Sequence, residues 1–421
     1  MSDTIFALSS GGPPAAIAVV RVSGPGAFDA ARALAGPLPE PRRAALRAMR
    51  DADGGLLDRG LMLVFPGSGS ATGEDLVELH LHGGRAVVAA VEAALLAGGS
   101  RRAEAGEFTR RALINGRVDL AQAEGLADLL QAETEAQRIV AIGAAEGVVS
   151  RLVGGWSARV TALSAGVEAA LDFADEDDVA VDLAGIEREV GTLRGEIEAV
   201  LAQPPVERLR DGIRVVLTGP PNAGKSTLLN LLAQREAAIV SPVAGTTRDV
   251  IEVPVVVEGA AYVLSDTAGL VDATEDRIEA IGVERARAAA RSADIVLWLG
   301  DEPPPAGVLW VWARSDEAGR DVVPAGTDVA TSSARPDTIA ALWRVIGARA
   351  TGLLPRVDRP ALNARQRGLV GQAVAELVGE DDPLILAERL RRARAALARV
   401  TGEDATEAML DALFGRFCIG K

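Results

Sequence analysis

One cysteine, two histidines and one tyrosine are spread over 421 residues, and aromatic side chains make up 3% of the chain. The single thiol, Cys418, cannot form an internal disulfide, so a fold stapled by cross-links is excluded. With so few aromatics, the cores must be built mainly from Ala, Leu and Val. Lysine is nearly absent too: of 44 basic residues only Lys225 and Lys421 are lysine, which leaves 42 arginines. No apolar run approaches about 18 residues, so no membrane-spanning helix is expected. The start, MSDTIFALSSGG, lacks the basic segment and long apolar stretch of a secretory signal, and the chain reads as cytoplasmic. A formal net charge of −15 argues against a nonspecific nucleic-acid binder, which needs clustered cations to neutralise phosphates. Two arginine-rich stretches, Arg42–Arg50 and Arg389–Arg399, leave room for a local basic patch. The second reads first as the solvated face of a helix.

The composition that remains, 48% hydrophobic and 24% charged, is that of a globular protein, and the length suits two or three domains. Residues 1–117 are rich in Gly and Pro with short strand-like runs (AIAVVRVSG, LMLVF, DLVELHLHGG), which predicts a compact α/β or α+β unit. From Asp119 the chain turns Ala-rich and helical in period. Apolar residues at 186, 190, 193, 197 and 200 mark one buried stripe, which Pro204–Pro205 stops. From Ile213 to about 350, strands alternate with helices: IRVVLTG, AYVLSDTAG, DIVLWLGD and VLWVWARSD read as buried strands of a parallel sheet. After Leu354 the chain is helical again. Leu390, Ala393, Leu397 and Val400 share one face, and a last short helix is expected to carry Met409, Leu410, Leu413, Phe414 and Phe417. The simplest architecture is multidomain, α/β plus all-α. An N-terminal domain (1–117) is followed by a helical domain (118–211 and 352–421) interrupted by an inserted α/β domain (212–351).

GPPNAGKS (219–226) fits G-x-x-x-x-G-K-[ST] and lies between a buried strand and a helical run, the context the motif needs. Its glycines let backbone N–H groups wrap phosphates, and the helix N-terminus adds positive potential. Lys225 reaches the β- and γ-phosphates, Ser226 can hold Mg²⁺, and Asn222, Ala223, Gly224 and Thr227 complete the cradle. A compact ammonium is not replaceable by a guanidinium in so crowded a loop, which accounts for one of the two retained lysines. DTAG (266–269) ends a strand about forty residues on: Asp266 is the acid near Mg²⁺ and the Gly269 amide can meet the γ-phosphate. Between them AGTTRD (244–249) offers Thr246 and Thr247, either of which could serve Mg²⁺. This order reads as a GTPase. Where a guanine-reading N-K-x-D is expected, the chain has Ala313-Arg314-Ser315-Asp316, keeping the Asp but not the Asn or Lys. Ser333-Ala334-Arg335 can be the second base-contacting loop. Leu270 follows DTAG where a water-orienting Gln could stand, and no arginine finger is evident, so hydrolysis needs another group.

These segments, with VVRVSG (19–24), TGEDLVELHLHGG (72–84), AGEFTRRALINGRVDLAQAE (105–124), LDFADED (171–177), IEAIGVERA (278–286) and the terminal FCIGK, resemble the MnmE (TrmE) family of tRNA-modification GTPases over essentially the whole chain. The resemblance implies an N-terminal domain that dimerises and binds a reduced folate, 5-formyl- or methylene-tetrahydrofolate. Arg21, Glu78 and Arg117 would contact it, Lys421 would reach in from the tail, and Cys418 would lie nearby without an assigned role. It implies a K⁺ site from Asn222, Ser241, Val243 and Thr246 in place of an arginine finger, with Thr247 meeting Mg²⁺ and Glu279 positioning the attacking water through a relay. Asn222, Lys225 and Glu279 are then the catalytic set. It also implies a homodimer that works with the flavoprotein MnmG, which carries FAD. Together they install an aminomethyl or carboxymethylaminomethyl group at C5 of the wobble uridine of certain tRNAs, with glycine or ammonium as the amine source.

The residues also admit two other readings. Glu78, His80 and His82 alternate and so share one strand face, which suggests a metal, but no further ligand is evident in sequence. A regulatory or ribosome-associated GTPase without modification chemistry would need an RNA-binding module after the α/β domain, where this chain is helical.

Overall fold

The alternating runs Ile17–Ser23 (β2) and Leu76–His82 (β5) are the central strands of a six-stranded sheet in the order β3-β4-β5-β2-β1-β6. The others are β1 Ile5–Leu8, β3 Ala45–Arg50, β4 Leu56–Phe65 and β6 Arg101–Arg102. All pairings are antiparallel except β1 with β6. Val20, Val22, Val77 and Leu79 point to one face and are fully buried beneath helices α1 (Ala27–Ala35) and α2 (Arg85–Ala97). Each such side chain contributes about 1.5–3 kcal/mol of burial free energy. The register sets Ala7, Arg21 and Glu78 side by side on the other face, with Leu63 and, one pair along, His80. The N-terminal region is therefore α+β, one of the two forms expected.

The computed structural model describes residues 3–172, 182–234, 252–266, 293–379, 382–403, 406–415, 417, 419 and 420. They pack as two compact units, one of residues 1–127, 144–154 and 397–421, the other of 128–143 and 155–396. The positions Ser241, Val243, Thr246, Thr247, Gly269, Glu279, Cys418 and Lys421 lie outside the described residues.

In the first unit the TGED and EFTRRA segments meet in a buried ionic cluster. Arg111, on helix α3 (Glu107–Ile114), is 1% exposed. Its guanidinium donates to the Asp3 carbonyl (2.9 Å), Asp3 Oδ1 (2.9 Å), Glu74 Oε2 (3.0 Å) and Glu107 Oε1 (3.0 Å). Arg101 closes the cluster from the far side onto Glu107 and Asp3. Burial alone would raise the Glu107 carboxyl pKa, but hydrogen bonds from Arg101, the Glu104 amide and Arg111 overcome this and hold it below its ordinary value. A carboxyl depressed in the folded state contributes stability that is present above its unfolded pKa and lost as pH falls through the folded one. Replacing Arg111 by Met strands buried carboxylates and should cost about 3–5 kcal/mol. Urea unfolding of R111M against wild type checks this, and the difference should shrink as pH drops below the ordinary carboxylate range.

The tail is sewn to the same unit. Helix Glu407–Phe414 meets α3 through Arg110, which pairs with Glu407 and, at 3.0 Å, with Asp411. The helix ends at Phe414, before Gly415, so Phe417 lies beyond it and not on it as the spacing predicts. Phe417 still packs on Phe414, ring centroids 5.7 Å apart. Ile419 then bridges Ala105, and the Gly420 carbonyl accepts from Ser9 Oγ at 2.8 Å. Gly420 has φ +97°, and a Cβ there would stand 2.2 Å from the Leu8 carbonyl oxygen, so only glycine fits.

In the second unit a six-stranded sheet runs β12-β11-β10-β7-β9-β8. Parallel strands β7 (Ile213–Thr218), β9 (Ala260–Asp266), β10 (Ile295–Trp298) and β11 (Leu309–Trp312) match the four expected apolar runs, and a short fifth parallel strand, β12 (Val329–Ala330), was not among them. Strand β8 (Glu252–Val257) is an antiparallel addition that the apolar-run reading passed over; among the described strands it pairs only with β9, an edge place where Pro254 is tolerated. The stripe expected on Leu183–Leu201 is buried at Val190, Leu193 and Ile197. That helix packs on Ala364–Glu376, and Arg367 donates to the Leu201 (2.6 Å) and Gln203 (2.8 Å) carbonyls, filling acceptors a helix end leaves open. One helix from each of the two helical stretches thus packs against the other. No single helix among the described residues is long and apolar enough to cross a membrane.

Candidate functional site

A buried strand feeding a helix through a glycine-rich turn sets up the first site. β7 ends at Thr218, the loop Gly219–Gly224 follows, and helix Lys225–Gln234 begins on the motif's lysine. Asn222 takes the left-handed conformation at φ +61°, part of the winding that turns successive amides inward. Lys225 is 7% exposed, and its ammonium donates to the Gly219 (3.0 Å) and Pro220 (2.9 Å) carbonyls. Burial lowers its pKa, partly opposed by nearby Asp266. Ser226 Oγ donates to Asp266 Oδ2 at 2.6 Å, which brings the hydroxyl and the DTAG carboxylate together at the end of β9. Two hard oxygen donors side by side fit a magnesium ion.

Over this loop opens a cavity of about 540 Å³, lined by Asn222 to Thr227 on one side and by Ala313, Arg314, Glu317, Thr331, Ser332 and Ser333 on the other. The phosphate loop and the expected base loops therefore face one space. Asp316 is exposed and, unlike Arg314 and Glu317, is not on the lining; a hydrogen bond from Ser332, then the charges of Arg335 and Arg314, keep its carboxyl below the ordinary range. Ala334 is not on the lining, and its amide donates to Ser332 Oγ at 3.1 Å. Ser332 thus braces both Asp316 and Ala334, a role the sequence reading missed. The S-S-A run was its only signal.

The second site lies on the open face of the N-terminal sheet. Arg21 Nε donates to Glu78 Oε1 at 2.8 Å across paired strands. His80 Nε2 is 3.5 Å from the other Glu78 oxygen and, although that atom is buried, has no hydrogen-bond partner among the described residues. An orphaned polar atom beside an ion pair fits a polar ligand. His82 is engaged elsewhere, with Nδ1 2.7 Å from Asp58 Oδ1, so the three alternating residues do not converge on one point. Arg117 is exposed at the end of α3, where its stem and Asn115 pack against Gly73 of the TGED turn. The Gly420 seam lies beside Leu8, and Leu8 follows Ala7, the register partner of Arg21.

Comparison with known proteins covers the whole chain. The family description "GTP-binding protein TrmE N-terminus" matches residues 4–117 and "MnmE helical domain" matches 120–418. Relatives named tRNA modification GTPase MnmE include one from Erythrobacter litoralis, 56% identical over 100% of both chains, and one from Rhizorhabdus wittichii, 56% identical over 100% of this chain and 97% of its own. A third, from Sphingopyxis alaskensis, is 54% identical over 96% of this chain and 100% of its own. Among solved structures, the G domain of the T. maritima FeoB iron transporter matches at 22% identity over 33% of this chain and 98% of that one, with a TM-score of 0.25, too slight a likeness to add anything. With both family descriptions matched and relatives of equal length more than half identical, the chain belongs to the MnmE family of tRNA modification GTPases.

Proposed function

We propose that this chain is a K⁺-activated, homodimeric GTPase that, with the flavoprotein MnmG, modifies C5 of the wobble uridine in tRNA using a reduced-folate one-carbon unit. That it is a GTP hydrolase acting in tRNA modification follows from its family. The observation that carries the hydrolytic reading is the cavity in which the phosphate loop faces Ala313, Arg314 and Thr331–Ser333, with Ser226 on its lining hydrogen-bonded to Asp266. Lys225 would exchange its two backbone carbonyls for phosphate oxygens, whose negative charge favours the ammonium that burial disfavours. Amides of residues 222–227 would hold the remaining phosphate oxygens, with Ser226, Asp266 and Thr247 holding Mg²⁺. Bound near Asn222, Ser241, Val243 and Thr246, K⁺ supplies positive charge where an arginine finger is missing. Glu279 would orient the water that attacks the γ-phosphorus, and Gly269 would meet the γ-phosphate.

The folate half rests on the N-terminal sheet. Arg21, Glu78 and Arg117 offer charge and hydrogen bonds to a pterin and its glutamate. The Gly420 seam supports delivery of Cys418 and Lys421 to that face. Leu46 and Leu61, paired on β3 and β4, are 64% and 41% exposed on the same face as His80, an apolar area that suits a second copy of the chain. GTP turnover would drive a conformational cycle and not the uracil chemistry itself.

Reconstitution tests the reading. The chain, the flavoprotein, wobble-uridine tRNA, GTP, K⁺, reduced folate and glycine or ammonium should yield a mass-shifted nucleoside. No modified uridine with all components present would contradict it.

A further inference from the structure

The arginine-rich stretch 389–399 has no part in either site, and the structure puts it on helix Pro383–Thr401. Leu386, Leu390, Ala393, Leu397 and Val400 form the buried stripe of that helix. Their burial fixes its rotation and turns Arg391, Arg392 and Arg394 out to solvent. The helix carries Arg389, Arg391, Arg392, Arg394 and Arg399 against one acid, Glu388. Helix Leu183–Leu201 has the opposite balance, Arg188 and Arg194 against Glu187, Glu189, Glu196 and Glu198, in keeping with a chain of formal charge −15. Glu388 is shared between two cations. Arg391 donates to it through Nε (2.7 Å) and Nη2 (2.8 Å), and Arg392 through Nε (2.8 Å). Hydrogen bonds from Arg391 and then Arg392 hold the Glu388 carboxyl at a pKa of about 2. One carboxylate thus offsets one of the two guanidiniums and leaves most of their N–H groups unspent. Arg394 has no ion-pair or hydrogen-bond partner among the described residues.

We propose that Arg391, Arg392 and Arg394 form a face that contacts the phosphate backbone of the tRNA substrate. The inference rests on the tRNA-modification reading above. Charge selects the partner: on a chain of net −15, a local positive face is where a polyanion can approach, and tRNA is the polyanion that reading requires. Guanidiniums match phosphate oxygens in a bidentate fork. The three arginines lie within one helical turn, about 4.5 Å of rise, so they meet neighbouring phosphates and carry no base sequence. The pairs with Glu388 are more than half exposed on the arginine side, so they add little to stability and do not compete strongly with a phosphate. Leu384 and Ile385, also exposed, begin the same helix and are the residues a protein partner would use instead.

The experiment titrates a fluorescent wobble-uridine tRNA with the full chain over a series of salt concentrations. R391Q/R392Q/R394Q should bind about tenfold more weakly at low salt, and the slope of log affinity against log salt should flatten by about two. R391K/R392K/R394K keeps the charge and should keep most of the wild-type slope. GTP turnover without tRNA should match wild type in both, because all three side chains are exposed and outside the nucleotide site. In the reconstituted reaction the glutamine triple should raise the KM for tRNA and leave kcat unchanged. Wild-type affinity and slope in the glutamine triple would overturn the inference, as would a lysine triple that loses the slope equally. A glutamine triple that binds tRNA normally but loses modification would assign the face to the flavoprotein and overturn it too. No tRNA binding by the wild-type chain at low salt would do the same. Binding of tRNA without any modified uridine in the full reconstitution would contradict the modification reading and not this face.

Discussion

Truncation after Phe417 should abolish folate binding and tRNA modification while GTP turnover stays near the wild-type rate. Only four residues are lost, yet they include the seam in which Ser9 Oγ donates to the Gly420 carbonyl and Ile419 bridges Ala105. Both ends of that seam lie in the unit that carries Arg21 and Glu78. Losing one charge-assisted contact to the ligand should cost about 1.5–3 kcal/mol, and the truncation removes the Lys421 ammonium together with its anchor. Gly420→Ala separates anchor from charge: all side chains are kept, but a Cβ 2.2 Å from the Leu8 carbonyl, at φ +97°, forces the tail off. G420A should therefore reproduce much of the truncation. The measurements are equilibrium binding of a reduced folate, nucleoside analysis of tRNA and steady-state phosphate release. Folate binding unchanged in the truncated chain would remove the tail from the pocket and leave the retention of Lys421 without a functional reason.

Lys225→Ala should lower GTP hydrolysis by about 10²–10³-fold, the effect of deleting one preorganised donor to developing phosphate charge. Lys225 is buried with its ammonium aimed across the loop at two carbonyls, so no solvent cation can take its place. Lys225→Arg should not rescue, since the planar guanidinium is too large for a loop closed by the Gly219 and Pro220 carbonyls. Single-turnover hydrolysis at saturating GTP separates this loss from weaker binding. A rate in K225R within tenfold of wild type would show that the ammonium is not the working group. Modification should fail in both variants, because the cycle that feeds it stops.

The phosphate loop and the N-terminal sheet differ in how much of each is legible in the sequence. The phosphate loop is contiguous, and its flanking strand and helix announce themselves by apolar runs, so residues 213–234 were legible almost completely. Parallel strands covered on both faces are continuous hydrophobic segments, which is why β7, β9, β10 and β11 stand out. Strand β8 does not, because Pro254 breaks its pattern. The pairing of Arg21 with Glu78 depends on register between strands 57 residues apart, and a one-residue slip would have separated them. Arg111 reads in sequence as one of two adjacent surface arginines on a short helix. Only the fold shows Arg110 reaching out to Asp411 and Arg111 buried among three carboxylates.

The measurement closest to the central claim is GTP hydrolysis by the full chain in K⁺ and in Na⁺ at equal ionic strength and saturating Mg²⁺. Asn222, left-handed at the bend of the phosphate loop, and Leu270 where a glutamine could follow DTAG motivate it. A fixed cation near the transferring phosphoryl group should supply a few kcal/mol, so the rate in K⁺ should exceed that in Na⁺ by at least about tenfold. Asn222→Ala should erase the difference while nucleotide binding persists. Equal rates in the two salts for the wild-type chain would contradict the account.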